Sequence, residues 1–204
     1  MDGQEYLNQI SASVRPVKQK ADGLMGSGIF KLAIGGVIGF ILLAIIGGML
    51  GGGDAINTRN LSFKYRLDNI LSVISSYQPV VKSSLLRSDS ATLYSVLANT
   101  NRDFSDYIVA KDKIKLNDKK FAKIADEARE EGDEIKNDLF EAKINGILDR
   151  VYANKMTYIV SLVMSKEADL INKSSDADLK AILATSYNSL ENLYDKFNDF
   201  SKVK

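Results

Sequence analysis

Two regimes of hydrophobic patterning divide this chain. From Leu32 to Leu50 there are 19 consecutive uncharged residues, whereas from Asp54 onward apolar residues return every three or four positions between polar ones. The first pattern belongs to a segment that is apolar all round, the second to helices with one buried face. In the second region a first helix is expected from about Ala55 into the 80s. It carries Leu67, Leu71, Ile74, Val81 and Leu85 on one face, widened by Ile70, Val73, Tyr77 and Val80. Pro79 should kink that helix or end it. Ser88-Asp89-Ser90 offers cap residues for a second helix bearing Leu93, Leu97, Phe104, Tyr107 and Ile108. A short, highly charged third helix starts at Asn117-Asp118 and runs through Phe121, Ile124 and Ala128 until Gly132 interrupts it. Asp133 then caps a long helix reaching Lys173, with Gly146 as its weak point. Ser174-Ser175-Asp176 breaks the pattern, and a last helix uses Leu179, Ile182, Leu183, Leu190, Leu193, Phe197 and Phe200. Short connections make successive helices antiparallel. The expected fold is therefore all-α: one N-terminal transmembrane helix followed by an elongated, antiparallel up-and-down bundle of four to five helices.

The uncharged run decides the first part of that expectation. At ~1.5 Å per residue it forms a helix roughly 28 Å long, against a hydrocarbon core of ~30 Å. Lys31 stands at one end, where its ammonium can reach the headgroups. A secretory signal peptide has a shorter apolar region and a small-residue cleavage site, and only the glycines from Gly47 to Gly53 speak for that alternative. Within the span, Gly35 and Gly39 form a G-x-x-x-G pair that Gly47 and Gly51 continue along one ridge. Small residues at this period let two helix backbones approach in lipid, so the span is expected to pair with itself or with the span of another protein.

Orientation follows the basic residues near the span. Arg15, Lys18, Lys20 and Lys31 lie before it, against Arg59, Lys64 and Arg66 after it. That balance favours a cytoplasmic N-terminus and a single-pass protein of the cell membrane with its C-terminal domain outside the cytoplasm. Residues 1–27 form either a short amphipathic helix, through Leu7, Ile10, Val14 and Val17, or a loosely ordered tail, since Pro16 disfavours helical geometry at Arg15. Residues 28–53 are the span with its glycine-rich exit, and residues 54–204 are the bundle domain. An N-terminal span followed by a helical bundle resembles, in architecture alone, the LemA-type membrane proteins and the sensor bundles of chemoreceptors. No residue assignment follows from either.

Composition then narrows the chemistry. The chain has no Cys and no His, which removes disulfides, thiolate metal sites, histidine-ligated zinc and every nucleophile–histidine arrangement. With 27 Lys+Arg against 26 Asp+Glu, no basic excess points to nucleic acid. No catalytic residue, cofactor or metal is expected. One charge pattern stands out as a possible docking patch. Residues 111–123 carry six Lys and two Asp, including Lys111, Lys113, Lys115, Lys119 and Lys120. Residues 126–134 carry six acids and one Arg, including Glu127, Glu130, Glu131 and Glu134. Such a dipolar surface either docks a charged partner or is a solvated connection whose charges neutralise each other. The expected function is that of a non-catalytic scaffold, adaptor or subunit of a membrane or envelope protein complex. The alternative is a membrane-tethered small-molecule sensor or carrier with a ligand pocket inside the bundle.

Overall fold

A computed structural model describes residues 54–202 except 112, 114, 115, 117 and 118, with the backbone alone at 54–57 and 120. These residues fall within one compact unit. They form five α-helices and no strand: α1 (Asp54–Tyr77), α2 (Ser84–Ala110), α3 (Ala122–Ile144), α4 (Leu148–Lys173) and α5 (Ala177–Lys202). Among the described residues no helix is long and apolar enough to cross a membrane. The expected span, with Gly35, Gly39, Gly47 and Gly51, lies outside them.

The apolar positions read from the sequence form the core. Leu67, Val73 and Ile74 of α1, Leu93, Leu97, Phe104 and Ile108 of α2, Leu139 of α3, Ile159 and Val163 of α4, and Leu183, Leu190 and Phe197 of α5 are all buried. Phe63 and Phe104 meet edge to face with ring centroids 5.2 Å apart, a geometry that suits the ring quadrupoles and fastens α1 to α2.

Polar contacts give the direction of each helix. Asn101 donates to Asp68 at 2.8 Å, so α2 runs back along α1. The Lys82 and Ser83 backbone N–H groups donate to the Asp149 carboxylate at 2.9 and 2.7 Å, which puts the start of α4 beside the start of α2. Lys196 reaches Asp89, and Lys111 reaches Asp176 and Asp178, so α5 is antiparallel to α2. Direction therefore alternates along the chain. In space α1 packs against α2 and α3, α2 against α5, α5 against α4, and α4 against α3. A ring of five cannot alternate everywhere, so one neighbouring pair must run parallel. That pair is α1 and α3: Arg66 meets Glu131, and farther along both helices the Tyr77 hydroxyl donates to the Lys136 carbonyl. Gly132 sits in this seam. A Cβ there would lie 3.1 Å from the Cβ of Asn69, so a side chain at this position would push the seam apart by a few tenths of an ångström.

Four expectations about element limits are corrected. First, α1 does not reach the 80s: of the two outcomes expected at Pro79 the helix ends, at Tyr77, and Pro79 sits in a 3-10 turn over Gln78–Val80. Second, α2 starts at Ser84 with Ser83 as its cap, whose hydroxyl accepts from Leu86 N; Ser88, Asp89 and Ser90 lie inside the helix. Third, Gly132 does not interrupt a helix, nor does Asp133 begin one. Both lie within α3, where the propensity cost of about 1 kcal/mol is offset by the close seam. Fourth, the long helix to Lys173 is two helices. Gly146 takes φ +71°, its N–H bonds to the Lys143 carbonyl, and that of Ile147 bonds to the Ala142 carbonyl. This double return bond closes α3 as a Schellman cap. At the last break, Asp176 caps α5 by accepting from Asp178 N and Leu179 N at 2.8 and 3.1 Å.

Candidate functional site

Part of the charged patch falls among the described residues. Lys111 closes α2 and pairs with Asp178 at 3.2 Å and Asp176 at 3.8 Å, and these carboxylates hold its ammonium pKa above the usual lysine value. Lys113 and Lys119 are exposed in the connection to α3, whereas Lys115 and the side chain of Lys120 lie outside the described residues. Glu127, Glu130, Glu131 and Glu134 lie at helical spacing on one exposed face of α3. Glu131 takes Arg66 at 2.7 Å and Glu127 takes Lys123 at 3.8 Å. The lysine-rich stretch has a topological reason. Because α1 stands between α2 and α3, the chain must pass over α1 to start α3, and the Tyr65 hydroxyl of α1 donates to the Leu116 carbonyl as it does so. A connection running over a surface is polar for solvation alone.

A second surface was not read from the sequence. Of the eight large apolar side chains left exposed among the described residues, Val80, Leu85, Phe140, Ile144 and Ile147 fall at the end of the bundle opposite Asp54. They come from two loops and the adjoining turns, held together by Asp149 binding the backbone of Lys82 and Ser83. Lys82, Lys143 and Arg150 are exposed around them, and no ion pair engages these three among the described residues. Helical periodicity counted Val80 and Leu85 as core because it ran α1 through Pro79. The turn at Pro79 rotates them out.

A third feature lies inside. Glu167 of α4 is fully buried, and its carboxyl pKa is pushed up to about 8 by burial, which the neighbouring Ser186 hydroxyl offsets in part. Neither carboxylate oxygen is seated in a hydrogen bond, and neither is the Ser186 hydroxyl. Tyr152, also buried on α4, has its pKa raised to about 12 by the same desolvation. Ser186 also lines a groove of about 380 Å³ between α2 and α5, with Thr100 as its other buried polar lining residue. The period-3.6 pattern could not reveal Glu167, since one acid within an apolar stripe looks like an edge position. Among the described residues no group of three or more carboxylates is placed to hold a metal ion.

No known family model, no characterised protein and no solved structure matches this chain.

Proposed function

We propose that the chain is a single-pass membrane protein without catalytic activity, whose helical bundle docks another protein and so serves as an adaptor or subunit of a membrane complex. The observation that carries this reading is the apolar end built from Val80, Leu85, Phe140, Ile144 and Ile147. Exposed apolar clusters on a folded domain mark interaction surfaces. Unpaired Lys82, Lys143 and Arg150 around the cluster favour an acidic rim on the partner, which would speed encounter and fix the pairing. The 19-residue uncharged run supports the anchor, and the basic residues flanking it favour a bundle outside the cytoplasm. Glycines 35, 39, 47 and 51 support pairing of the span with itself or a partner span.

Two experiments test this. A photo-crosslinker at Leu85 or Ile144 should capture one defined protein, while the same group at exposed Tyr94, in the middle of α2, should not. Equal capture from all three positions would sink the docking surface. For the anchor, single cysteines at Ser174 and Ser13 are treated in intact cells with a membrane-impermeant maleimide. Labelling at 174 alone supports the proposed orientation, and labelling at 13 alone reverses it. The second reading is a small-molecule sensor or carrier. It is favoured by the groove between α2 and α5, whose floor residue Ser186 has an unpartnered hydroxyl next to Glu167.

A further inference from the structure

The bundle buries two carboxylates under different circumstances. Asp89 is 7 % exposed and has the Lys196 ammonium at 3.2 Å. Glu167 is 0 % exposed, and the group that faces its carboxyl is the neutral Ser186 hydroxyl, with no charged group contributing to its environment. A carboxyl left in this condition costs stability unless something completes it. That neighbour, Ser186, is 3 % exposed and forms part of the groove wall. The groove wall thus lies one residue from an acid without a counter-charge, with the Ser186 Oγ between them closed to solvent in the free bundle.

The rest of the lining narrows what fits. Asn99, Thr185 and Ser189 add an amide and two hydroxyls, and Val96, Ala181 and Ile182 add apolar wall. There is no Lys or Arg among the lining residues. Asp103 is their one charged member, and its carboxylate takes the exposed Arg102 Nε at 3.0 Å. Lining residues recur over positions 96–103 of α2 and 181–189 of α5, a groove about 10–12 Å long at ~1.5 Å per residue. That length suits a slender chain.

We propose that this groove binds a primary ammonium group on an unbranched alkyl chain, the ammonium donating to Ser186 Oγ and giving Glu167 the counter-charge that Lys196 gives Asp89. The Ser186 O–H then donates to the Glu167 carboxylate, and the alkyl chain lies against Val96, Ala181 and Ile182. Glu167 holds its proton at neutral pH in the free protein, so binding ionises it and one proton passes to the buffer. The same chemistry is offered by a free amine and by the lysine side chain of another protein. This inference rests on the second reading above, that the groove is a ligand site.

The test is calorimetry on the full chain in mild detergent at neutral pH, in two buffers of different ionisation heat. The probes are n-butylamine, putrescine, N-acetyl-lysine methylamide, and the neutral isosteres 1-butanol and 1,4-butanediol. The expected result is saturable binding of the amines alone, with a buffer-dependent heat that reports proton release. Glu167→Gln and Ser186→Ala should each weaken it about tenfold or more, the loss of one charge-assisted hydrogen bond. Both substitutions are close to isosteric, and thermal unfolding of each variant verifies that it is folded. Tighter binding of the lysine surrogate than of butylamine or putrescine supports a protein-borne ammonium; the reverse supports a free amine. Amine binding that survives Glu167→Gln unchanged overturns the inference. Equal binding of butanediol and putrescine overturns the ammonium class while leaving the groove a ligand site. Silence from every probe overturns both.

Discussion

Replacing Glu167 by Gln should make the bundle more stable, and by an amount that grows with pH. In an unfolded chain this carboxyl titrates near 4.5, whereas in the folded bundle burial holds it protonated up to about 8. Between those values the native state binds the extra proton, so stability falls as pH rises. Below 4.5 both states are protonated and the contribution is complete; above about 8 both are ionised and the loss is complete. At ~1.4 kcal/mol per pH unit the ceiling is about 5 kcal/mol, and water entry around the ionised group brings the expected loss to about 2–5 kcal/mol. Glutamine has nearly the same shape and does not titrate, so its own curve lacks this term. The assay is urea unfolding of wild type and Glu167→Gln, followed by far-UV circular dichroism from acidic to mildly alkaline pH. Comparing the two chains cancels the other acids, including Asp176, whose pKa is lowered by the backbone N–H of Leu179 and so acts in the opposite direction at low pH. The difference between the chains should be flat below 4.5 and widen until about pH 8. Parallel curves across the whole range would refute the claim that Glu167 is buried without a counter-charge.

Three further substitutions test the scaffold in the same assay. Phe104→Ala removes a fully buried ring and its edge-to-face contact with Phe63; a loss of about 3–5 kcal/mol is expected, and less than 1 would mean the ring is not in the core. Gly146→Ala forces a side chain into φ +71° and should cost about 1–2 kcal/mol, with Asn in its place costing less. Asp149→Ala frees the Lys82 and Ser83 N–H groups; the expected loss is about 1–2 kcal/mol, with faster amide exchange at these two positions.

What the sequence disclosed and what it withheld have separate causes. The buried apolar face of α5 was legible almost residue for residue, because it is one uninterrupted amphipathic period, whereas on α2 the pattern leaves out Leu86 and treats Asp89 and Ser90 as caps. The stretch from Asn117 to Lys173 was divided in the wrong place. Gly132 and Gly146 are the same residue type, and local propensity treats both as breaks or weak points. Only the fold separates them: one glycine is squeezed against Asn69 inside a helix, and the other adopts a left-handed turn. Ile147, apolar and immediately after Asn145-Gly146, was the available signal for a Schellman stop. The charged patch was legible as a composition but not as a place. Lys111 closes α2, Lys113 and Lys119 lie on the connection to α3, and the glutamates lie on a face of α3. The unmatched Glu167 was invisible for the same reason, since its isolation depends on which neighbours fail to reach it.

An odd number of alternating helices has a mechanical consequence. Asp54 begins α1 at one pole of the bundle and Lys202 ends α5 at the other, with helices of 23 to 27 residues between, so about 35–40 Å separates the poles at ~1.5 Å per residue. A pull applied between the poles loads α1 and α5 along their whole lengths. It slides α1 lengthwise against α2 and α3, instead of peeling helices apart one turn at a time as it would if both ends left from the same pole. Loaded between its poles, such a bundle resists in shear along whole helices.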